Sequence, residues 1–325
     1  MKNVLFTLLI ISFFSCVTNS KKPAISTLDS LSKLISKDSL DINLLKTRAS
    51  IYLKSNQLDL AKKDIDDAYT IFKNDPDLLL LRGDIYYQLN QTRLSKESWE
   101  RCLKLDPNDV DCRFSLTELL CAVRDHNCKF MIDTLSMLNN GMVSTTLIVY
   151  LKELREYDLA LKLLKNLSLI NPKDKEVLTL FSILYSDTSA FNTNFNTKLA
   201  EKYFKQALSL YSNDVQLNYN FGKYQQDILK YNQALESYNH VINLDSTHKQ
   251  AYYNMGFCAM QLENYPQSVM YFTKAINLDQ SFLLGYHARA FVHELNKDFD
   301  KAKIDWKNCL MLNPSYIPAL EGLNK

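Results

Sequence analysis

Glycine and proline are scarce in this chain, at 6 and 7 of 325 residues. Phosphate-cradling loops and tight strand hairpins use glycine for backbone at positive φ or for close approach to a ligand. So little of it argues for helices joined by short turns. An excess of one charge is also missing. The formal net charge is +2 with no basic block, so nucleic acid finds no electrostatic footprint here. No H-E-x-x-H, G-x-S-x-G or C-x-x-C pattern occurs. The five histidines, His126, His240, His248, His287 and His293, are scattered, and carboxylates such as Asp64, Asp66 and Asp67 read as a solvated helix face. No catalytic residue, metal ligand set or cofactor is expected. What remains, 46% hydrophobic and 23% charged, is the balance of a folded, soluble protein.

The longest apolar run, Val4 to Phe14, follows Lys2 and is interrupted only by Thr7 and Ser12. It is too short to span a bilayer but suits the core of an export signal. It ends Phe13-Phe14-Ser15-Cys16 before a polar stretch. A small residue directly before that cysteine resembles the lipobox of bacterial lipoproteins. The resemblance implies a signal peptide over 1–15, lipid on Cys16 and a linker over 16–24. Two or three acyl chains would hold the chain on a membrane where one anchors only marginally.

Beyond residue 25 the chain repeats itself. Ile242-Asn243-Leu244-Asp245 returns as Ile276-Asn277-Leu278-Asp279, 34 residues on. Ala49 and Gly83 are separated by the same interval, as are Gly222, Gly256 and Ala290. Twelve residues after each stands a second small residue: Ala61, Ser95, Ala234, Ser268 and Ala302. Four further on comes a large one: Ile65, Trp99, Tyr238, Phe272 and Trp306. A small residue on one helix lets its partner approach, and the later ring fills the gap between successive hairpins. Period, small positions, aromatic position and trailing Pro or Asp together resemble the tetratricopeptide repeat family.

The frame predicts units starting near Ile42, Pro76, Val110, Gly141, Lys175, Val215, Lys249 and Leu283. The fold expected is all-α, a right-handed superhelical solenoid of about eight helix hairpins over 25–325. Residues 25–39, through Leu31 and Leu34, form an N-terminal cap, and 317–325 begin a C-terminal one. The unit over about 110–140 is degenerate, and a loop insertion falls at about 187–197.

The resemblance also implies that first helices line a concave groove receiving other proteins or peptides. Carried onto this chain, the C-terminal groove residues are Tyr219, Asn220, Lys223, Gln250, Tyr253, Asn254, Phe257, Met260, His287 and Phe291. Asn220 and Asn254 are the expected clamp for a peptide backbone. The N-terminal groove, with Asp84, Tyr87 and Gln88, has a polar lining. Cys102 and Cys309 occupy small-residue positions as compact hydrophobes. Cys121 and Cys128 flank a turn where a disulfide would staple the degenerate unit, although two free buried thiols are the expected state. The function expected is a non-catalytic scaffold or adaptor on a bacterial cell envelope, lipid-anchored on the periplasmic face of the outer membrane. Rival readings are a glycan-capturing lipoprotein and a self-assembling structural protein whose groove takes another copy, a homo-oligomer.

Overall fold

The computed structural model describes residues 24–39 and 41–324, with the backbone alone for 24–27. The signal-like segment and Cys16 lie outside the described residues. Among the described residues every regular element is an α-helix. After α1 (Ala24–Lys37) come α2 (Ile42–Lys54) and α3 (Leu58–Ile71), α4 (Pro76–Gln88) and α5 (Thr92–Leu105), then α6 (Val110–Ala122) and α7 (Cys128–Leu138). The series continues with α8 (Thr145–Glu153) and α9 (Tyr157–Ile170), then α10 (Lys175–Ser186) and α11 (Thr197–Leu210). The last hairpins are α12 (Val215–Asp227) with α13 (Tyr231–Leu244), α14 (Lys249–Gln261) with α15 (Tyr265–Leu278), and α16 (Leu283–Leu295) with α17 (Phe299–Leu312), before α18 (Ile317–Leu323). The chain divides into an N-terminal body up to Met131 and a C-terminal body from Ile132.

Seven of the eight first helices begin at the residue the period predicts. The exception is α8, which starts at Thr145 with Ser144 as its cap, because Gly141 stands at φ +79° in the preceding turn. Five first helices are opened by an aspartate whose carboxylate accepts a backbone N–H: Asp41, Asp75, Asp109, Asp174 and Asp214. The negative charge meets the positive end of the helix dipole.

The turn inside each hairpin explains how the chain manages with so little glycine. Asn56, Asn90, Arg124, Arg155, Leu229, Glu263 and Lys297 all stand at φ between 55° and 64°. In each turn the next N–H reaches back five residues, for example Gln57 to the Tyr52 carbonyl at 2.8 Å and Lys230 to the Gln225 carbonyl at 2.8 Å. This Schellman closure normally takes glycine at the left-handed position. Here ordinary side chains take it, each at a cost in backbone strain. The α10–α11 connection departs from the pattern. Its residues 187–196 carry no helix, and buried Asn192 braces them by donating to the Leu184 and Asp187 carbonyls at 2.7 and 2.8 Å.

Packing follows the small–large alternation. A Cβ added to Gly256 would stand 2.6 Å from the Phe272 ring, and one added to Gly222 would stand 2.8 Å from Tyr238. Ala61, Ser95, Ala234, Ser268 and Ala302 are all buried, as are Ile65, Trp99, Tyr238, Phe272 and Trp306. On α1 the buried stripe is Leu31 with Ile35, whereas Leu34 is 47% exposed. An i, i+4 pair faces the neighbouring helix where the sequence reading expected i, i+3.

Three arginines share one first-helix position and one pattern of partners. Arg48 grips Asp64 with two bonds of 2.7 Å and donates to Ser32 at 3.0 Å. Arg289 grips Asp305 at 2.8 and 2.7 Å and donates to Thr273 at 2.8 Å. At Arg82 the carboxylate and hydroxyl change sides: Ser98 accepts at 2.6 Å and Asp66 lies 3.7 Å away. Asp64 is therefore a buried half of an ion pair, and Asp66 also binds Lys62 and the Tyr86 hydroxyl, not the solvated face read from sequence.

Leu229 is 70% exposed at φ 63°, so its side chain contributes little packing while its Cβ strains the turn. Leu229→Gly is expected to stabilise the fold by about 1 kcal/mol, read as a higher chemical-denaturation midpoint. A lower midpoint would show that the turn is not held as described.

Candidate functional site

The C-terminal first-helix residues divide into two groups. Tyr219, Tyr253 and His287 occupy the same repeat position and act as joints. Tyr219 packs on Tyr238 and His248, with ring centroids at 5.8 and 4.8 Å. Tyr253 packs on Phe272 and Phe282 at 5.5 and 5.3 Å, and His287 on Trp306 and Tyr316 at 5.2 and 5.7 Å. Each touches a ring on its own second helix and another at the entrance to the next hairpin. Asn254 is engaged in the same way, donating to the Tyr219 and Tyr238 hydroxyls at 3.1 and 3.2 Å. The amide expected to clamp a peptide is thus spent on bracing the wall.

The other residues of that face are less committed. Asn220 accepts from Gln216 at 2.8 Å, and Lys223 pairs with Asp227 at 3.1 Å with both side chains exposed. Phe257 meets the edge of Tyr231 at 6.3 Å. Met260 is half-buried, Gln250 is exposed and Phe291 is 42% exposed.

On the N-terminal body, α2, α4 and α6 frame two hollows that share Asp84. One, of about 480 Å³, is walled by residues of α2 and α4, among them Lys46, Lys54 and Asp77. The other, of about 490 Å³, is lined by Leu53, Asp84, Tyr87, Trp99, Ser115 and Glu118 among others. Trp99 is buried against Gly83, and its indole N–H donates to the Asp84 carboxylate at 3.2 Å. Tyr87 leans on it at 5.8 Å. Burial pushes the Asp84 carboxyl up to about 6, against the pull of hydrogen bonds from Trp99 and Ser115, with the charge of Asp111 adding slightly to the rise. The sequence reading placed Asp84 on this face but attached no weight to it. The available signal was that Asp84 and Glu118, 34 apart, put an acid at the same repeat position twice running.

Cysteine is used differently from the sequence expectation. Cys121 and Cys128 are joined, linking α6 to the start of α7. Cys102 is no mere compact hydrophobe, since it is bonded to Cys112 across the junction of α5 and α6. That partner lies in the next unit, where a reading within one hairpin does not look. Asp109 has an oxygen within 4.8 Å of both sulfurs, but it caps α6 by accepting from the Cys112 N–H at 2.7 Å. Cys258 and Cys309 are free and buried, and burial pushes their thiols up to about 12 and about 11. Neither is a thiolate at neutral pH.

The histidines are structural. His248 caps α14 by accepting from the Ala251 N–H at 3.1 Å, and His240 bonds the Ser212 carbonyl at 3.2 Å. His287 bonds the Tyr316 hydroxyl at 2.9 Å, buried His293 lies 3.8 Å from Asp298, and exposed His126 lies beside Asp125.

Comparison with known proteins agrees with the repeat. The tetratricopeptide repeat family model matches residues 76–109 and 249–282, which coincide with the hairpins α4–α5 and α14–α15. No curated protein matches the chain. Among solved structures, the MamA protein is 23% identical, covering 45% of this chain and 79% of its own, with a TM-score of 0.40. The Cut9–Hcn1 hetero-tetramer of the APC/C gives 15% identity, 93% of this chain and 52% of the matched one, at 0.46. This chain therefore spans about half that relative's length. The C-terminal part of a TPR repeat-containing protein from Cytophaga hutchinsonii gives 16%, 92% and 94%, at 0.36.

Asp84 generates one expectation. Its folded value, about 6, lies above the ordinary 3.8, so between those two pH values the folded state holds a proton that the unfolded chain has released. Stability contributed by this group is therefore present at low pH and lost as pH rises toward 6. Asp84→Asn keeps an oxygen for the Trp99 indole and removes the charge. It is expected to stabilise by about 2 kcal/mol at pH 8 and by almost nothing near pH 4, measured by denaturation across that range. A gain independent of pH would contradict the buried-charge account. The cysteines supply another: alkylation of denatured, unreduced protein is expected to label Cys258 and Cys309 and none of the four cysteines between 102 and 128.

Proposed function

We propose that this chain is a non-catalytic scaffold that receives segments of partner proteins on its first-helix faces. The observation that carries the reading is the pair of adjoining hollows on α2, α4 and α6, each large enough for a side chain and together forming an interrupted trough. Repeats of this kind stack hairpins, and stacking leaves a row of first helices whose outward positions are free to vary without disturbing the packing. On the C-terminal body, Gln250, Lys223 and Phe291 hold such positions, while Tyr219, Tyr253 and Asn254 set the spacing behind them.

The scaffold reading extends to place. The lipobox-like Phe13-Phe14-Ser15-Cys16 supports attachment to a bacterial envelope through lipid on Cys16. The two disulfides support export, since such bonds persist in oxidising compartments. Capture of glycans gains less support: Trp99 and Trp306 are 2% and 3% exposed, so neither indole offers a sugar platform.

The test uses photocrosslinking residues in the full chain inside cells, placed at Gln88, at Phe291 and, as a control, at Lys63 on the second helix α3. Adducts to other proteins are expected from Gln88 or Phe291 and not from Lys63, and Cys16→Ser is expected to release the chain from the membrane pellet. Equal labelling from all three positions, or from none, would remove the scaffold reading.

A further inference from the structure

The outward side of the second helices is polar at two recurring positions. Two residues after the small position stand Lys63 on α3, Glu97 on α5 and Glu236 on α13. Nine residues after it stand Thr70, Lys104 and Asn243. The last two second helices depart from this. Met270 on α15 and Ile304 on α17 take the first position, 48% and 60% exposed, and Met311 takes the second on α17, 81% exposed. Apolar side chains scattered singly over a surface are ordinary. Here they recur at one repeat position on consecutive second helices and again two turns along α17, which makes a patch.

Lysines surround that patch. At about 100° per residue, Ile304 and Met311 run along the centre of the outward face of α17, with Lys303 and Lys307 on one flank and Lys301 on the other. Lys274 follows Met270 by one turn on α15. Lys274, Lys303 and Lys307 are exposed and have no ionic partner among the described residues. Lys301 lies 3.4 Å from Asp298. Of the two acids in α17, Asp300 is exposed in the first turn and Asp305 is buried against Arg289. A helix face with apolar tips in the middle and lysines at the sides suits the boundary of an anionic bilayer. The tips enter the acyl edge, the lysine stems lie along them, and the ammonium groups stay among the phosphates.

We propose that the outward face of α17, together with Met270 of α15, rests on an anionic lipid surface. The inference rests on the membrane attachment proposed above and adds which face of the C-terminal body meets the lipid. A patch of this size binds a bilayer weakly by itself. Once the chain is tethered, the contact is made within one assembly at high effective concentration, and a weak patch is enough to orient the body. The first helices of that body, with Gln250, Lys223 and Phe291, then remain open to partners.

The experiment places an apolar photocrosslinking residue at Ile304, at Met311 or, as a control on a first helix of the same body, at Gln250. The full chain is reconstituted in vesicles of phosphatidylethanolamine with phosphatidylglycerol, or of phosphatidylcholine alone, and lipid adducts are counted by mass spectrometry. Adducts from Ile304 and Met311 are expected to exceed those from Gln250 about tenfold in the anionic vesicles and to fall to the Gln250 level in phosphatidylcholine. Lys303→Gln with Lys307→Gln, both at exposed positions, is expected to lower the Ile304 yield about tenfold in the anionic vesicles. Equal labelling from Gln250, equal labelling in phosphatidylcholine, no effect of the lysine changes, or crosslinks between copies in place of lipid would overturn the proposal. Release of the chain by Cys16→Ser reports the anchor separately. An anchored chain unlabelled at Ile304 sinks the oriented face and leaves the anchor, whereas lipid adducts at Ile304 in a chain that Cys16→Ser does not release do the reverse.

Discussion

Close approach of the two helices in each hairpin governs this molecule. A ring such as Phe272 or Tyr238 lies so near the opposing first helix that glycine alone fits beneath it, and even one methyl group would have to displace the ring. Burial of these rings is a main gain each hairpin offers, and a lone hairpin leaves apolar surface in water that a neighbouring hairpin would cover. Stacking is what completes it. The aspartate caps, the strained turns and the arginine pairs all serve to bring each new hairpin to the distance at which that contact closes.

The repeat was legible because packing recurs at one interval, and the interval survives even where residue identity does not. Seven first helices start where the 34-residue frame puts them once a short stretch after α6 and the insertion at about 187–197 are allowed for, and α8 deviates for a local reason, the turn at Gly141. Turn chemistry was harder to read. Asn at 56 and 90 signals a left-handed residue, but Leu229, Glu263 and Lys297 in the same conformation do not. Only their register within the period identifies them.

The surface was less legible than the fold. Groove positions carried over from a family describe where a side chain leaves the helix, not what it meets. Tyr219, Tyr253 and His287 leave at the same point and each meets a ring exactly one connection away, information that belongs to two hairpins at once. The same holds for Cys102 and Cys112, whose union crosses a unit boundary. By contrast, Asp84 and Glu118 were readable as a recurrent acid, but the desolvation that raises the Asp84 carboxyl comes from packing beside Trp99, which the recurrence alone does not give. Specific chemistry here resides in departures from the repeat, while the repeat itself supplies the spacing.

The placement of the two disulfides has a consequence for how such a chain comes apart. Stacked arrays lose their terminal hairpins first, because an end hairpin has one neighbour instead of two. Bonds at 102–112 and 121–128 tie α5, α6 and α7 in succession by covalent links. Within the N-terminal body these links keep α5 beside α6, and α6 beside the start of α7, even where their packing is lost. Local opening beside the hollow around Asp84 therefore starts from tethered helices, and reclosing it costs less chain entropy than it would from an open chain.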